Sequence, residues 1–165
     1  MLKAAIVGCG KIAEAHAEVI RSFARAARLV ATCDKELLMA KQLAERFGTK
    51  SFYDDLSTML KEEHPDVVHI TTPPQSHYEL AKTCLEAGRH VFVEKPFTVN
   101  VTEAMELIDL ATTNNLKLTV GNDEQFSPVA LEMRHLVKSG WLGGPPTHMD
   151  VYYCYDLGDE RYARA

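Results

Sequence analysis

A Gly8-Cys9-Gly10-Lys11-Ile12-Ala13 turn stands between an apolar run and a helix-period segment, and this pattern suits the holding of a phosphate ligand. Gly8 permits a tight turn, Gly10 lets the main chain approach a pyrophosphate, and small Ala13 lets the following helix pack closely on the strand. The helix start, with Lys11 and Ile12, adds N–H groups and a partial positive charge for the same anion. Asp34 follows the second apolar run, 24 residues after Gly10. Its carboxylate can accept hydrogen bonds from both hydroxyls of an adenosine ribose and repels a 2'-phosphate, which favours NAD over NADP. Lys35 beside it weakens that preference by its charge. A related fold class uses a similar turn and acidic residue for S-adenosylmethionine, so the first 35 residues leave the ligand open.

The elements that must position these residues follow from the hydrophobic pattern. Almost unbroken apolar runs recur at residues 4–7, 29–31, 67–70, 91–93 and 116–120, as strands covered on both faces require. A weaker strand is predicted near Ser51-Phe52-Tyr53. Between the runs lie helical periodicities: Ile12, Val19, Ile20 and Phe23 on one face, then Ala40, Leu43, Ala44 and Phe47, then Leu80, Ala81, Cys84 and Leu85, then Val101, Ala104, Met105, Ile108 and Ala111. Ser76 and Asn100, the latter with Glu103 three residues on, are read as helix caps; Gly48 and Gly88 sit where a helix ends in a left-handed residue. Six strands in about 120 residues, alternating with helices, predict an α/β fold, a doubly wound parallel sheet. Thr71-Thr72-Pro73-Pro74-Gln75-Ser76-His77 then follows the fourth strand and Glu94-Lys95-Pro96-Phe97 the fifth. Both fall at the carboxyl edge, where open α/β sheets bind ligands.

Composition bounds the function. The 165 residues carry 18 Lys+Arg against 23 Asp+Glu, a formal charge of −5, with no basic cluster; nucleic acid is not an expected partner. The hydrophobic share of 46% and charged share of 25% are globular values. Cys9, Cys33, Cys84 and Cys154 lack metal-ligand spacing, so neither a metal site nor a disulfide framework is expected. No run is long enough to span a bilayer, and Lys11 and Glu14 interrupt the apolar start. A cytoplasmic protein with reduced thiols is the expectation.

The chain resembles the glucose-fructose oxidoreductase, inositol dehydrogenase and rhizopine-catabolism (Gfo/Idh/MocA) family of NAD(P)-dependent dehydrogenases. The resemblance is carried by Gly8 to Ala13, Thr72-Pro73 with His77, the run from Ala87 to Pro96, and Phe126-Ser127-Pro128 with Gly140-Trp141-Leu142-Gly143. Glu94-Lys95-Pro96 is its most specific element. It implies a Rossmann NAD(P)-binding domain over 1–122, a linking helix and loop over 123–144, and over 145–165 the first strand of an incomplete C-terminal α+β substrate and dimerisation domain. Lys95 then sits by the nicotinamide and takes the hydroxyl proton as hydride leaves a secondary alcohol of a sugar, sugar nucleotide or cyclitol. Glu94 and Pro96 hold it, while Thr71, Thr72, Pro73 and His77 flank the cofactor; for His77 a backbone contact at the helix start is the competing role.

Asp123 and Gln125 stand where the family commonly has Asn and Arg. Asp123 either lies beside the nicotinamide pocket or faces water. His148 is read as a strand residue, and His16, His64, His69, His90 and His135 as surface or core positions. The alternative to an enzyme is a non-catalytic dinucleotide-binding module. With a complete second domain a homo-oligomer is expected, and an exposed apolar edge where that domain docks.

Overall fold

A computed structural model describes residues 1–150 and Tyr152. They fall into two units, Met1–Asn122 and a second beginning at Asp123. In the first, strands β1 (Leu2–Val7), β2 (Ala27–Cys33), β3 (Ser51–Tyr53), β4 (Val67–Ile70), β5 (His90–Val93) and β6 (Leu118–Val120) alternate with helices α1 (Lys11–Ser22), α2 (Leu37–Phe47), α3 (Leu56–Glu63), α4 (His77–Glu86) and α5 (Val101–Thr113). All pairings are parallel, in the order β3-β2-β1-β4-β5-β6. The chain starts at the centre, winds outward through β2 and β3, then crosses β1 to lay down β4. That crossing creates a switch point between β1 and β4.

The register decides where the strands stop. Val7 pairs with both Cys33 and Ile70, Cys33 with Tyr53, Ile70 with Val93, and Val93 with Val120. The last residues of all six strands therefore form one row. The ladder continues one residue further: Gly8 N–H donates to the Cys33 carbonyl at 2.8 Å, Thr71 to Val7 at 2.8 Å, Glu94 to Ile70 at 2.9 Å, Gly121 to Val93 at 2.8 Å and Asp34 to Tyr53 at 3.0 Å. The residues just beyond the strands are thus held by sheet hydrogen bonds.

Continuous apolar runs become strands buried on both faces. In β1, Ala5 and Val7 join a core with Val68, Ile70, Cys84, Leu85 and Leu107. Ala4 and Ile6 point the other way, into a core with Ala13, Ala17, Ile20, Ala40 and Leu43, as the two-residue period of a strand dictates. Asn100 caps α5, its Oδ1 accepting from Glu103 N–H at 2.9 Å, and Gly48 and Gly88 are left-handed, with φ of 76° and 75°.

Three local expectations are corrected. The buried face of α1 is Ala13, Ala17 and Ile20, while Ile12, Val19 and Phe23 are exposed: a helix lying close on a sheet presents its small residues inward. On α5, Leu107 and Ala111 are buried, and Val101, Met105 and Ile108 form an exposed apolar stripe. Ser76 makes no cap bond; its hydroxyl donates within the preceding turn, to Thr72 Oγ1 and the Pro73 carbonyl, because a 3-10 turn (Pro74–Ser76) runs straight into α4.

In the second unit, a 3-10 turn over Asp123–Phe126 precedes α6 (Pro128–Lys138). Ser127 Oγ caps α6, accepting from Ala130 N–H at 3.3 Å. No residue of α6 is buried among the described residues, and Val129, Leu131, Met133 and Val137 are exposed. Thr147–Asp150 lie outside any helix or strand. The rest of the strand expected there, Tyr152 apart, lies outside the described residues. Among the described residues, no helix is long and apolar enough to cross a membrane.

The α5 correction is checkable by truncation. Leu107→Ala, at a site with no exposure, should cost about 2–5 kcal/mol in denaturant unfolding. Ile108→Ala, at 45% exposure, should stay within about 1 kcal/mol of the parent.

Candidate functional site

The row of strand ends brings Gly8, Asp34, Thr71 and Glu94, each predicted from sequence, to one edge of the sheet. Gly8 is the tightest point, with φ of +89°. A Cβ there would lie 2.6 Å from Thr72 Cγ2, 2.8 Å from Thr72 N and 2.9 Å from the Thr71 carbonyl carbon. Only glycine fits both the conformation and the space. Thr71 closes the seam from the other side, its hydroxyl 2.6 Å from the Gly8 carbonyl and 3.1 Å from that of Val7.

Gly10 has a different role. Its φ of −77° is open to any residue, and a Cβ there would meet nothing within 4 Å. It precedes α1 and provides no side chain to cap that helix. The Ala13 N–H donates to the Gly10 carbonyl at 3.1 Å, and the start of α1 borders an open cradle where the helix N-terminus favours an anion. Lys11 and Ile12 are exposed beside it and Ala13 is fully buried beneath. This geometry fits a pyrophosphate.

Asp34 is half-buried and tied to main chain: Oδ2 accepts from Cys9 N–H at 2.6 Å and Oδ1 from Glu36 N–H at 2.9 Å. Each oxygen keeps a lone pair, so the carboxylate is held in place and can still accept from a ligand. Lys35 is exposed. The same carboxylate bears on the turn's thiol. Burial, then the Asp34 charge, push Cys9 up to about 12, and burial with the charges of Asp55, Asp34 and Asp54 does the same to Cys33. Both stay protonated at neutral pH, so the cysteine in the turn is not a nucleophile.

Across the switch point, Glu94 and exposed Lys95 follow β5, and the Lys95–Pro96 peptide is cis. Pro73 is exposed and Thr72 half-buried. His77 has no exposure; its Nδ1 lies 2.9 Å from the Pro96 carbonyl and its Nε2 2.8 Å from that of Thr72. Both ring nitrogens lie against main-chain carbonyls, and a ring with one N–H donates to one of them, so of its two expected roles the geometry supports the backbone contact. It fastens the Thr72 loop to the Lys95-Pro96 turn. Asp123 opens the 3-10 turn of the second unit and is exposed. Among the described residues no group of His, Cys, Asp and Glu could hold a metal.

One feature escaped the sequence reading. His16 from α1 and His69 from β4 meet at 3.0 Å between Nδ1 atoms, and His16 Nε2 lies 3.1 Å from Glu94 Oε1. His69 stacks on Phe92, with ring centroids 5.1 Å apart and planes at 13°. Burial, with the neighbouring His16, lowers His69 to about 4. The readable signal was a histidine inside the apolar run Val67-Val68-His69-Ile70, because a buried polar ring needs a partner.

Residues 2–122 match the family model GFO_IDH_MocA, described as "Oxidoreductase family, NAD-binding Rossmann fold". The chain is 35% identical over 142 residues to D-glucoside 3-dehydrogenase of Escherichia coli K12, covering 86% of this chain and 40% of that enzyme. It is 26% identical over 152 residues to scyllo-inositol 2-dehydrogenase (NAD(+)) of Bacillus subtilis 168, covering 92% and 43%. Among solved structures, an NAD binding oxidoreductase from Klebsiella pneumoniae superposes with a TM-score of 0.77 at 30% identity, over 84% of this chain and 39% of that one. Scyllo-inositol dehydrogenase from Lactobacillus casei with bound NAD(H) and scyllo-inositol gives 0.80 at 26%, over 87% and 42%. The chain thus spans about two fifths of the length of these relatives.

Two outcomes are expected of the geometry itself. Gly8→Ala should destabilise the fold by about 2–5 kcal/mol, from a strained φ and a clash with backbone, whereas Gly10→Ala should unfold within about 1 kcal/mol of the parent. His69 should make stability pH-dependent. A histidine held near 4 when folded and near 6.5 when unfolded binds more protons unfolded between those values, so its contribution is complete above pH 6.5 and fades toward pH 4. Urea unfolding should lose about 2 kcal/mol between pH 7.5 and 5 from this ring. His69→Phe should flatten the profile over that window, and an unchanged profile would contradict the assignment.

Proposed function

The chain belongs to the GFO_IDH_MocA oxidoreductase family, and from that premise we propose that it is the cofactor-binding portion of an NAD-dependent dehydrogenase. The observation that carries this reading is the single row of strand ends. What supports the reading is that the Gly8-Cys9-Gly10 turn and the main-chain-bonded Asp34 carboxylate lie toward the β2 side of the β1–β4 switch point and Glu94-Lys95 toward the β5 side. When bound, the nicotinamide supplies the hydride acceptor.

In this reading Gly10 and the start of α1, with Lys11 and Ile12, seat the pyrophosphate, and Asp34 accepts the adenosine ribose hydroxyls. Its charge selects NAD over NADP, with Lys35 moderating the choice. Thr71, Thr72 and Pro73 form the floor between the two halves. Lys95 receives the proton of the hydroxyl being oxidised, and Glu94 orients it. Asp123 faces the nicotinamide side or solvent. The substrate is a secondary alcohol of a sugar, sugar nucleotide or cyclitol, the class to which the named relatives' glucoside and inositol substrates belong. We place the protein in the cytoplasm as part of a homo-oligomer; the free, buried Cys9, Cys33 and Cys84 support a reducing compartment.

Titration with NADH and NADPH, followed by nicotinamide fluorescence, tests the reading. NADH should bind more tightly than NADPH. Gly10→Val, which adds bulk only in the open cradle, should keep the parent's melting temperature and weaken NADH by about tenfold or more; Asp34→Ala should weaken NADH as much and also melt lower, since the Cys9 and Glu36 N–H groups lose their acceptor. Wild-type affinity in both variants would sink the assigned site.

A further inference from the structure

We infer that His16 is a positioning residue for Lys95, acting through the Glu94 carboxylate and held in turn by His69. The role of Lys95 rests on the dehydrogenase reading; the linkage itself rests on geometry alone.

The three side chains come from separate elements. His16 lies on α1, the helix that begins at the phosphate cradle; His69 lies on β4; Glu94 follows β5. The His16 and Glu94 side chains are only 10% and 16% exposed, and nothing in the dinucleotide contacts proposed above requires either histidine. His16 packs edge-on against both the His69 and Phe92 rings, with centroids 5.3 Å away. The other Glu94 oxygen, Oε2, accepts from Lys95 N–H at 3.2 Å. Gly121 makes room for this arrangement: a Cβ there would lie 2.6 Å from Glu94 Oε1 and 3.3 Å from the Phe92 ring. Its φ is not in the left-handed region, so the need for glycine here is space rather than conformation.

The donors run in one direction. A carboxylate only accepts, so His16 donates from Nε2 to Glu94. With that as its ring proton, His16 accepts at Nδ1, and the 3.0 Å contact is satisfied when His69 donates from Nδ1. The chain reads His69 to His16 to Glu94, with the Lys95 amide donating to the far end. A carboxylate held at one oxygen by a buried ring has little freedom at the other, as with the outer ligands that orient a metal-bound histidine. Any shift of α1 therefore reaches the Lys95 peptide through two hydrogen bonds.

Two measurements on the wild-type chain and its variants test this. Long-range proton–nitrogen NMR of the histidine rings at pH 7.5 should find His69 as the Nδ1–H tautomer and His16 as the Nε2–H tautomer. Solvent exchange of the Lys95 amide should be about tenfold faster in His16→Phe, which keeps a ring against His69 and Phe92 but removes both nitrogens. The Glu94 amide, bonded to the Ile70 carbonyl, should exchange at the parent rate as a control. Glu94→Ala should raise Lys95 exchange at least as much, and the double variant no further, since His16 acts through Glu94. Gly121→Ala should also raise it by displacing the carboxylate with both partners intact.

The inference is overturned by an Nε2–H tautomer at His69, by parent-like Lys95 exchange in His16→Phe, or by full additivity in the double variant. If a variant fails to fold, the wild-type tautomers decide the matter. Neither readout uses a cofactor, so failure to bind NADH would overturn the dinucleotide reading without touching this one.

Discussion

The contact between Gly8 and the Thr71–Thr72 peptide sets everything at the edge of this sheet. It joins the two central strands at the point where the winding reverses, and it admits no side chain. Because Gly8 turns here, Cys9 N–H meets the Asp34 carboxylate and fixes the end of β2. Because the chain then enters α1 at Gly10, the helix points its N-terminus along the edge and brings His16 back over β4 and β5. Thr71 locks the seam by bonding both the Gly8 and Val7 carbonyls. A single steric constraint thus aligns the cradle, the fixed carboxylate and the histidine pair.

Much of this was legible in the sequence, for identifiable reasons. Strands covered on both faces leave continuous apolar runs, so five of the six strands announced themselves, and β3 was recovered from a short aromatic segment. The doubly wound sheet followed from the alternation of those runs with helical periods, and the glycine turn from its place between the first run and the first helix. Faces of helices were harder. Alanine carries little hydrophobic signal, so Ala13 and Ala17 were outweighed by Ile12, Val19 and Phe23, although close packing on the sheet demands the small residues. On α5 Met105 and Ile108 lie outside the core for a different reason: that helix has two apolar stripes, and a single chain cannot reveal which one the sheet covers. The short helix α3 went unread because its apolar content is low.

Side-chain partnerships across elements were not legible. His16 and His69 are 53 residues apart, and nothing local to either names the other. Reading each as a core or surface residue followed from the usual fate of a lone histidine; what that reading lacked was the sheet register, which brings His69 beside Phe92 and under α1. Ser76 illustrates the same limit at short range. Its type and place fit a cap, yet the preceding 3-10 turn offered its hydroxyl nearer partners.

The electrostatic layout follows from the topology and argues for an elongated ligand. Asp34 ends β2, one strand to one side of β1, and Glu94 ends β5, two strands to the other side. At about 4.8 Å per strand the two carboxylates are about 15 Å apart along the edge. Each is held by main-chain N–H donors, Asp34 by Cys9 and Glu36 and Glu94 by Lys95, so neither swings into the middle. Between them lie only the glycine turn, the Thr71-Thr72-Pro73 segment and the start of α1. An anion is therefore favoured at the centre, where helix N–H groups point outward, and disfavoured at both ends. A ligand with its phosphates in the middle and hydroxyl-bearing, uncharged or cationic groups at its ends matches that profile. A nicotinamide dinucleotide has this distribution in its oxidised form, with its phosphates central and its charged ring at one end.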